Sequence, residues 1–287
     1  LLENLRFDPG EEANDAAFAE GLAELAGPYV DDAFGAVHRA HASVAALPRI
    51  VRGREDSAVA GRLLQREVGA LSALRGDPAR PYVAVLGGAK VSDKLGTIGA
   101  LVEQVDALLV GGAMAFTFIA AEGGAVGDSL VEQERFDDIR AARARAQERG
   151  VVVQLPDDVV AAPEVAPDAA RHTVPAAEVP AGEKGLDIGP RTVEEFARTI
   201  AEAKTILWNG PMGVFELEPF SAGTRGVATA IAGASAYAVA GGGDSLAAIS
   251  RYGLADGFDH LSTGGGASLE FLEGRELPGI EALRADA

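Results

Sequence analysis

Lysine is scarce in this chain, and two of the four lysines, Lys90 and Lys94, stand in one short segment, 87–94, that reads GGAKVSDK. Apolar residues at helical spacing follow it, so both lysines are expected near the start of a helix. Cations there cost about 0.3–1 kcal/mol, because the helix dipole places partial positive charge at that end. A bound phosphate would remove the cost by accepting hydrogen bonds from backbone N–H and ammonium groups. The alternative is two solvated lysines partly offset by Asp93, and this segment alone leaves both interpretations open.

Two further glycine turns carry groups suited to phosphate chemistry. Segment 241–245, GGGDS, places Asp244 and Ser245 beside Gly242 and Gly243. A carboxylate and a hydroxyl at such a turn can hold Mg²⁺ together with phosphate oxygens, although both residues are also common helix caps. Segment 263–268, TGGGAS, offers consecutive N–H groups suited to a phosphoryl group in transfer, or forms only a tight strand–helix turn.

The first forty residues contribute cations of a different kind. Arg6 and Arg39 can each bind a carboxylate or phosphate through two parallel hydrogen bonds, which suits an acidic substrate. His38 and His41 flank Arg39, but histidines in such a pattern are more often structural or merely exposed. Their spacing is too weak to predict a metal site.

The composition restricts the function classes. The 287 residues carry a formal net charge of −18 and no cysteine, with 48% hydrophobic residues. This acidity argues against a nucleic-acid partner, and the absence of cysteine fits a reducing compartment. No apolar run is long enough to span a bilayer, so we expect a cytoplasmic protein without a membrane partner. Because the chain opens within an apolar pattern and without Met, we expect upstream sequence to be missing.

From residue 81 onward, short apolar runs alternate with amphipathic stretches, which indicates βα units around a parallel sheet. Strands are predicted at 82–86, 107–110, 151–155, 205–208, 236–240 and about 259–262. Nearly all of them end in glycine, and in a parallel sheet such turns line up along the carboxyl edge, where ligands bind. No Walker A loop and no Gly-x-Gly-x-x-Gly turn is present, which disfavours a dehydrogenase that binds NAD.

The segment before this block predicts a second region. Residues 56–74 are interpreted as one long helix, capped near Asp56 or Ser57 and ended by Gly76 and Pro78. Earlier in the chain we expect a helix at 15–25, a strand at 28–30 and a turn-rich stretch at 34–43. The helix would then connect two domains and act as a hinge.

Nine segments in this order resemble phosphoglycerate kinases over essentially the whole chain. They are ENLRF at 3–7, DAFG at 32–35, HRAH at 38–41, LGGAKVSDK at 86–94, GGAMAFTF at 111–118, LDIGP at 186–190, WNGPMGVFE at 208–216, GGGDS at 241–245 and STGGGASLE at 262–270. Each segment alone could arise by chance, whereas the ordered set is highly specific.

The resemblance implies an α/β fold of two Rossmann-like three-layer α/β/α domains with parallel sheets, the N-terminal one incomplete in this chain. Residues 1–55 would be the remainder of the 3-phosphoglycerate-binding domain and 56–76 the hinge helix. Residues 77–272 would form the nucleotide-binding domain, and 273–287 a tail that returns to the N-domain. The implied enzyme is a monomeric phosphotransferase that moves the acyl phosphate of 1,3-bisphosphoglycerate to ADP with Mg²⁺, after domain closure expels water.

The resemblance also implies residue roles. Arg6, His38 and Arg39 would bind the substrate, and Lys90, Arg39, Gly265 and Gly266 would act on the transferring group. Asp244 would be the Mg²⁺ carboxylate, and Glu216 would accept the ribose hydroxyls. The implied nucleotide-binding residues are Gly88, Ala89, Lys90, Lys94, Gly111, Gly112, Gly189, Asn209, Pro211, Glu216, Gly242, Gly243, Asp244 and Ser245.

This chain departs from the family pattern in places. Roughly the first quarter of the family chain, which carries part of the substrate site, has no counterpart here. Asp31 and Ser245 stand where the family usually has Asn and Thr. An alternative to the kinase is therefore a catalytically incomplete fragment that binds the nucleotide without turnover.

Overall fold

The computed structural model describes residues 1–25, 27–54 and 56–284. Its strands are β1 Tyr29–Asp31, β2 Ala58–Ala60, β3 Tyr82–Leu86, β4 Ala107–Val110, β5 Ala125–Val126, β6 Val152–Gln154, β7 Asp158–Ala162, β8 His172–Pro175, β9 Glu178–Val179, β10 Lys184–Ile188, β11 Thr205–Asn209, β12 Tyr237–Gly241 and β13 His260–Ser262. Its α-helices are α1 Pro9–Glu12, α2 Ala16–Ala23, α3 Leu47–Gly53, α4 Arg62–Arg75, α5 Leu95–Val102, α6 Met114–Ala121, α7 Phe136–Arg149, α8 Pro190–Glu202, α9 Ala222–Ala232, α10 Gly243–Tyr252, α11 Gly266–Leu272 and α12 Pro278–Leu283.

The chain divides into two compact units. The first contains residues 1–73 together with the segment that starts at Thr263, and the second contains residues 74–262. Within the described residues, no helix combines the length and the apolarity needed to cross a membrane.

The second unit is built on a six-stranded sheet in the order β13-β12-β11-β3-β4-β6, in which all neighbours are parallel. Every residue of β3, β4 and β11 is buried, because helices cover both faces of the sheet. All six strands predicted from the apolar runs are present, with ends within one residue of the predicted ones. The α/β class and the parallel sheet are therefore confirmed.

The register of this sheet brings the carboxyl ends of five strands to one edge. Asn209 is paired with both Leu86 and Gly241, Leu86 is paired with Val110, and Gly241 is paired with Ser262. The glycine turns that follow β3, β4, β11 and β12 therefore begin side by side. This confirms the predicted row of turns at the carboxyl edge.

A second, antiparallel sheet in the order β10-β7-β8 was not predicted. Strand β8, whose residues are mostly exposed, lacks the apolar run that predicts a strand of a βα unit. Strand β10 is buried along most of its length and has an irregular register between Gly185 and Asp187. It supplies part of the site described below.

In the first unit, the predicted helix at 56–74 is wrong at its start. Residues Ala58–Ala60 form β2, which pairs in parallel with β1, and α4 begins at Arg62. The Asp32 carboxylate accepts hydrogen bonds from the N–H groups of Leu63 (2.6 Å) and Leu64 (3.1 Å). Since this cap comes from a distant segment, the helix starts later than the local signal at residues 56 and 57 suggests. Its function as a hinge stays a prediction.

The first unit also takes in residues that were predicted to belong to the nucleotide-binding domain. The structure divides the chain after Ser262 rather than after residue 272. Glu67 of α4 accepts hydrogen bonds from the N–H and the hydroxyl of Thr263, both at 2.8 Å. Gly264 packs so closely on the Phe34 ring that an added Cβ would lie 2.2 Å from it. These contacts attach the loop at 263–266 to α4 and to the turn at Phe34–Ala36.

Candidate active site

A cavity of about 270 Å³ opens at the carboxyl edge of the six-stranded sheet. It brings Lys90 and Lys94 of the turn at 87–94 together with Asp244 of the turn at 241–245. The residues that line this phosphate-side cavity are Gly88, Ala89, Lys90, Asp93, Lys94, Asn209, Gly210, Pro211, Gly242, Gly243, Asp244 and Ser245.

Lys94 is held at the base of this cavity by protein oxygens. Its Nζ donates hydrogen bonds to the carbonyl of Gly87 (2.7 Å) and to the carbonyl (2.8 Å) and Oδ1 (2.5 Å) of Asn209. Burial lowers the pKa of Lys94 to about 8, while the carboxylates of Asp244 and Asp93 oppose that shift. The ammonium group is thus positioned rigidly and is easier to deprotonate than an exposed lysine.

Gly210 joins the turn after β3 to the turn after β12. Its N–H donates to the buried Ser245 Oγ at 2.6 Å, and its backbone φ is +99°. An added Cβ would lie 2.3 Å from the carbonyl oxygen of Gly87 and 2.7 Å from Lys94 Nζ. A side chain at position 210 would therefore push the two turns apart and adopt a strained conformation.

The turn at 241–245, here called the open turn, leads directly into α10. Neither Asp244 nor Ser245 caps the helix, since the N-cap is Gly242 and no side chain bonds to its first turn. Among the described residues, no acceptor binds the N–H groups of Gly243, Asp244 or Ser245. The Asp244 side chain is exposed at the mouth. This turn offers free donors and one carboxylate in the same place.

The turn at 87–94, here called the lysine turn, differs from its prediction. The Glu132 carboxylate accepts hydrogen bonds from the N–H groups of Val91 (2.6 Å) and Ser92 (3.0 Å). Although desolvation alone would raise it, the pKa of Glu132 is lowered by these bonds and by the charge of Lys90. The N–H groups expected to meet a phosphate are therefore occupied by a side chain of the protein.

A second cavity of about 340 Å³ adjoins the first and shares Gly88, Ala89, Pro211 and Asp244 with it. Its lining is mainly apolar side chains and glycine backbone, which suits a flat organic ring. The other residues that line this apolar cavity are Gly112, Ala113, Leu130, Val165, Lys184, Gly185, Leu186, Gly213, Val214 and Glu216.

The loop that carries Glu216 is fixed from two sides. Arg251 of α10 donates hydrogen bonds to the carbonyls of Phe215 (3.1 Å) and Glu216 (3.0 Å). On the other side, Val214 N–H donates to the carbonyl of Leu186 in β10 at 2.8 Å. The exposed Glu216 carboxylate is thus presented at the rim of the apolar cavity by an anchored backbone.

Asp187 is a buried carboxylate directly beneath this loop. It accepts hydrogen bonds from the N–H groups of Gly223 (2.7 Å) and Ile188 (3.0 Å). Burial raises its pKa to about 7, and these two bonds only partly oppose that effect. An added Cβ at Gly213 would lie 2.2 Å from its Oδ1. Asp187 therefore connects β10, the start of α9 and the Glu216 loop.

Two of the predicted nucleotide-binding glycines lie outside both linings. An added Cβ at Gly111 would lie 2.4 Å from Met212 Sδ, and one at Gly189 would lie 2.2 Å from the carboxyl carbon of Asp158. Both glycines allow close packing behind the cavities. Gly112 does line the apolar cavity.

The remaining predicted residues belong to the first unit. Arg6 is exposed and lines a cavity of about 430 Å³ that also contains Glu11 and Asp31. Arg39 is exposed and its Nε lies 3.4 Å from Nε2 of His38, which in turn lies 3.7 Å from a Cβ built on Gly266.

Gly265 and Gly266 lie at the start of α11. Gly265 has a φ of +47° and is the N-cap of this helix, without a side-chain cap. The N–H groups of Gly265 and Gly266 have no acceptor among the described residues. The structure thus presents both N–H groups as free donors and places Gly266 near His38.

Residues of β10 that line the apolar cavity, and Glu132, were not predicted from the sequence. Lys184, Gly185 and Leu186 of β10 line the apolar cavity, and Glu132 occupies the lysine turn. A signal for β10 was present in the short alternation of residues 184–188, which precedes the helix start at Pro190. No local signal identified Glu132, because its partners are about forty residues earlier in the chain.

The chain is similar to proteins of one family in sequence and in structure. The family model of phosphoglycerate kinase matches residues 1–275. Phosphoglycerate kinase of Salinispora tropica is 57% identical over 290 residues, covering 99% of this chain and 71% of the relative. That of Thermus thermophilus is 54% identical over 284 residues, covering 99% of this chain and 72% of the relative.

A solved structure agrees with these relatives. Phosphoglycerate kinase from Coxiella burnetii superimposes with a TM-score of 0.90 at 44% identity, covering 98% of this chain and 71% of that one. The agreement extends over both compact units and over all of the segments that carry the predicted site. This chain belongs to the phosphoglycerate kinase family.

Proposed function

We propose that this protein transfers the acyl phosphate of 1,3-bisphosphoglycerate to ADP, reversibly, giving 3-phosphoglycerate and ATP. Membership of the family supports the reaction. The observation that carries the assignment to this chain is the joint cavity at the sheet edge, where Lys90, Lys94, Asp244 and the open turn converge. Transfer through a loose transition state requires positioning and charge neutralisation, so the absence of an activated nucleophile in this cavity is no obstacle.

The two adjoining cavities fit the two ends of a nucleotide. The base would lie in the apolar cavity against Gly112 and Leu186, with Glu216 at its rim accepting the ribose hydroxyls. The phosphates would extend past Pro211 and Asn209 into the phosphate-side cavity. There the free N–H groups of Gly243 and Ser245 provide donors, in line with the affinity of helix N-termini for anions.

Asp244 fits the requirements of a Mg²⁺ ligand. Its exposed carboxylate has no protein donor among the described residues, and it lies in the same cavity as the free N–H groups. Mg²⁺ in proteins is commonly held by one or two carboxylates together with substrate phosphates, so a single carboxylate beside the nucleotide phosphates would be sufficient. When bound, Mg²⁺ neutralises phosphate charge during the transfer.

Lys90 and Lys94 are assigned different functions because their surroundings differ. Lys90 is exposed at the mouth and would stabilise the transferring group. Lys94 is largely enclosed, its three ammonium hydrogens are donated to Gly87 and Asn209, and it would hold the nucleotide phosphates through its charge. In the first unit, Arg6, His38 and Arg39 would bind the phosphoglycerate, and the Gly265 and Gly266 amides would donate to the phosphoryl group. Monomeric assembly and a cytoplasmic location stay predictions.

A coupled assay tests the reaction. The full-length protein should turn over 1,3-bisphosphoglycerate only when MgADP is present, and calorimetry should show MgADP binding. Binding without turnover by this 287-residue chain would favour the alternative of a catalytically incomplete fragment that binds the nucleotide. Absence of binding would contradict both functions.

Single substitutions test the division between the lysines. Lys90→Ala should lower kcat far more than it weakens MgADP binding, whereas Lys94→Ala should mainly weaken binding. Lys204→Ala is the matched control, because Lys204 is exposed and lines neither cavity. Equal effects of the first two substitutions on kcat and on the MgADP Kd would contradict the separate functions.

A further inference from the structure

Glu132 is held firmly on both of its sides. Its carboxylate accepts from Val91 N–H and Ser92 N–H, and its own N–H donates to the Thr117 hydroxyl of α6 at 3.2 Å. Thr117 is buried, so the anchor point lies in the core of the second unit. Glu132 therefore binds α6 through its backbone N–H and the backbone of the lysine turn through its carboxylate.

The two N–H groups that Glu132 binds lie between the two functional lysines. Lys90 directly precedes Val91, and Lys94 follows Ser92 by two residues. Val91 is fully buried, whereas Lys90 is exposed. A backbone fixed at Val91 and Ser92 limits the directions that both lysine side chains can take. The carboxylate also offsets the positive potential that the two amides and Lys90 create.

In the part of the chain that the structure describes, no side-chain carboxylate accepts a hydrogen bond from the first-turn amides of the open turn. If the carboxylate of Glu132 were absent, the N–H groups of Val91 and Ser92 would be free to donate hydrogen bonds to a phosphate oxygen beside Lys90. A nucleotide phosphate bound there would be displaced from the open turn and from Asp244. Because Glu132 occupies the amides of the lysine turn, the nucleotide phosphates would bind only at the amides of the open turn.

We propose that Glu132 is a positioning residue for phosphoryl transfer, which fixes the lysine turn and keeps phosphates away from its amides. This inference rests on the proposed function of Lys90 and Lys94. It assigns to Glu132 no contact with the substrate. Its effect should consequently appear in kcat, with nucleotide affinity little changed.

Kinetics of the full-length protein test this inference with two variants and a control. Glu132→Ala should lower kcat by about 10- to 100-fold, as expected when a reacting group is misplaced by a fraction of an ångström or more. Glu132→Gln retains an acceptor oxygen and should lose less. Glu134→Gln is the control, because Glu134 is exposed in the next turn and has no partner among the described residues. The KM for MgADP should stay within about threefold in all three.

An NMR measurement provides a readout that does not depend on activity. The amide proton shifts of Val91 and Ser92 should follow the titration of Glu132, below the usual pKa of a glutamate, and should lose this titration in Glu132→Gln. If the wild-type protein turns over and Glu132→Ala keeps its kcat, the inference is wrong while the proposed function stands. If the wild-type protein shows no turnover, the function fails, and the amide titration still decides whether Glu132 fixes the turn.

A purely structural function would give a different result. It predicts that Glu132→Ala lowers the melting temperature and that kcat measured well below that temperature is normal. That combination would overturn the inference, as would an equal loss of kcat in Glu134→Gln.

Discussion

The lysine turn follows β3 and the open turn follows β12, two strands of one sheet that are separated by β11, and the two turns look alike in sequence. Each consists of glycines after a buried strand, with a carboxylate and a hydroxyl before a helix. In the structure, the amides of the lysine turn are bound by Glu132, whereas the first-turn amides of α10 have no acceptor among the described residues. Two turns of similar sequence thus differ in what they expose to the cavity, since one presents side chains and the other presents its backbone N–H groups.

The difference arises from contacts distant in sequence. The lysine turn receives its anion from a loop that follows β5, and its Lys94 is enclosed by carbonyls of Gly87 and Asn209. In the open turn, the Ser245 hydroxyl points inward to Gly210 N–H, which leaves Asp244 at the mouth. The lysine side chains of the lysine turn and the unbound amides of the open turn therefore line one cavity. The Glu132 carboxylate binds the amides of the lysine turn only.

The largest expected effect comes from a substitution that separates the two turns. Gly210→Ala should destabilise the protein by roughly 3 kcal/mol, because it combines a positive φ with a Cβ that overlaps the Gly87 carbonyl. MgADP binding should be lost as well. Thermal unfolding and calorimetry would measure both effects.

Gly99→Ala is the matched control for this substitution. Gly99 lies within α5, where an added Cβ would meet nothing within 4 Å, and alanine should stabilise the helix by about 0.5–1 kcal/mol. If Gly210→Ala unfolded at the wild-type temperature and bound MgADP normally, the two turns would not depend on each other.

A smaller effect is expected when the Asp244 carboxylate of the open turn is removed. Asp244→Ala should weaken MgADP binding at least tenfold, or about 1.4 kcal/mol, while binding of ADP without Mg²⁺ should change little or improve. Calorimetry with and without Mg²⁺ separates the two quantities. Asp256→Ala, which alters an exposed carboxylate outside both cavities, should leave both unchanged. Equal losses with and without the metal would show that Asp244 does not act through Mg²⁺.

The sequence predicted the sheet well because β3, β4 and β11 are continuous apolar runs between glycine turns, a pattern set by burial on both faces. It predicted the start of α4 poorly, because the helix is capped by Asp32 from another segment. The antiparallel sheet was missed for a similar reason, since β8 is mostly exposed and depends on β7 for its pairing.

The candidate site shows the same limit. Residue types and their order identified Lys90, Lys94 and Asp244, and parallel-sheet geometry predicted that their turns would share an edge. Whether a backbone N–H is free depends on every other segment, so Glu132 could not be found locally. The enclosure of Lys94 also depends on Asn209, more than a hundred residues later in the chain.

The smallest expected effect is a pH dependence of MgADP affinity, caused by the lowered pKa of the enclosed Lys94. Since the pKa of Lys94 is lowered to about 8, the lysine loses its proton as the pH rises through that value, and only the protonated form attracts phosphates. MgADP affinity of the wild-type protein should therefore fall about fourfold between pH 7 and pH 8.5, whereas a lysine with an unperturbed pKa would give no change there. In Lys94→Ala the affinity should be lower at pH 7 and independent of pH over this interval. Two results would contradict this prediction: an MgADP affinity of the wild-type protein that does not change with pH, or an equal fall of the affinity in Lys94→Ala. Either would mean that the Lys94 ammonium does not bind the nucleotide and that the open turn holds the phosphates without it.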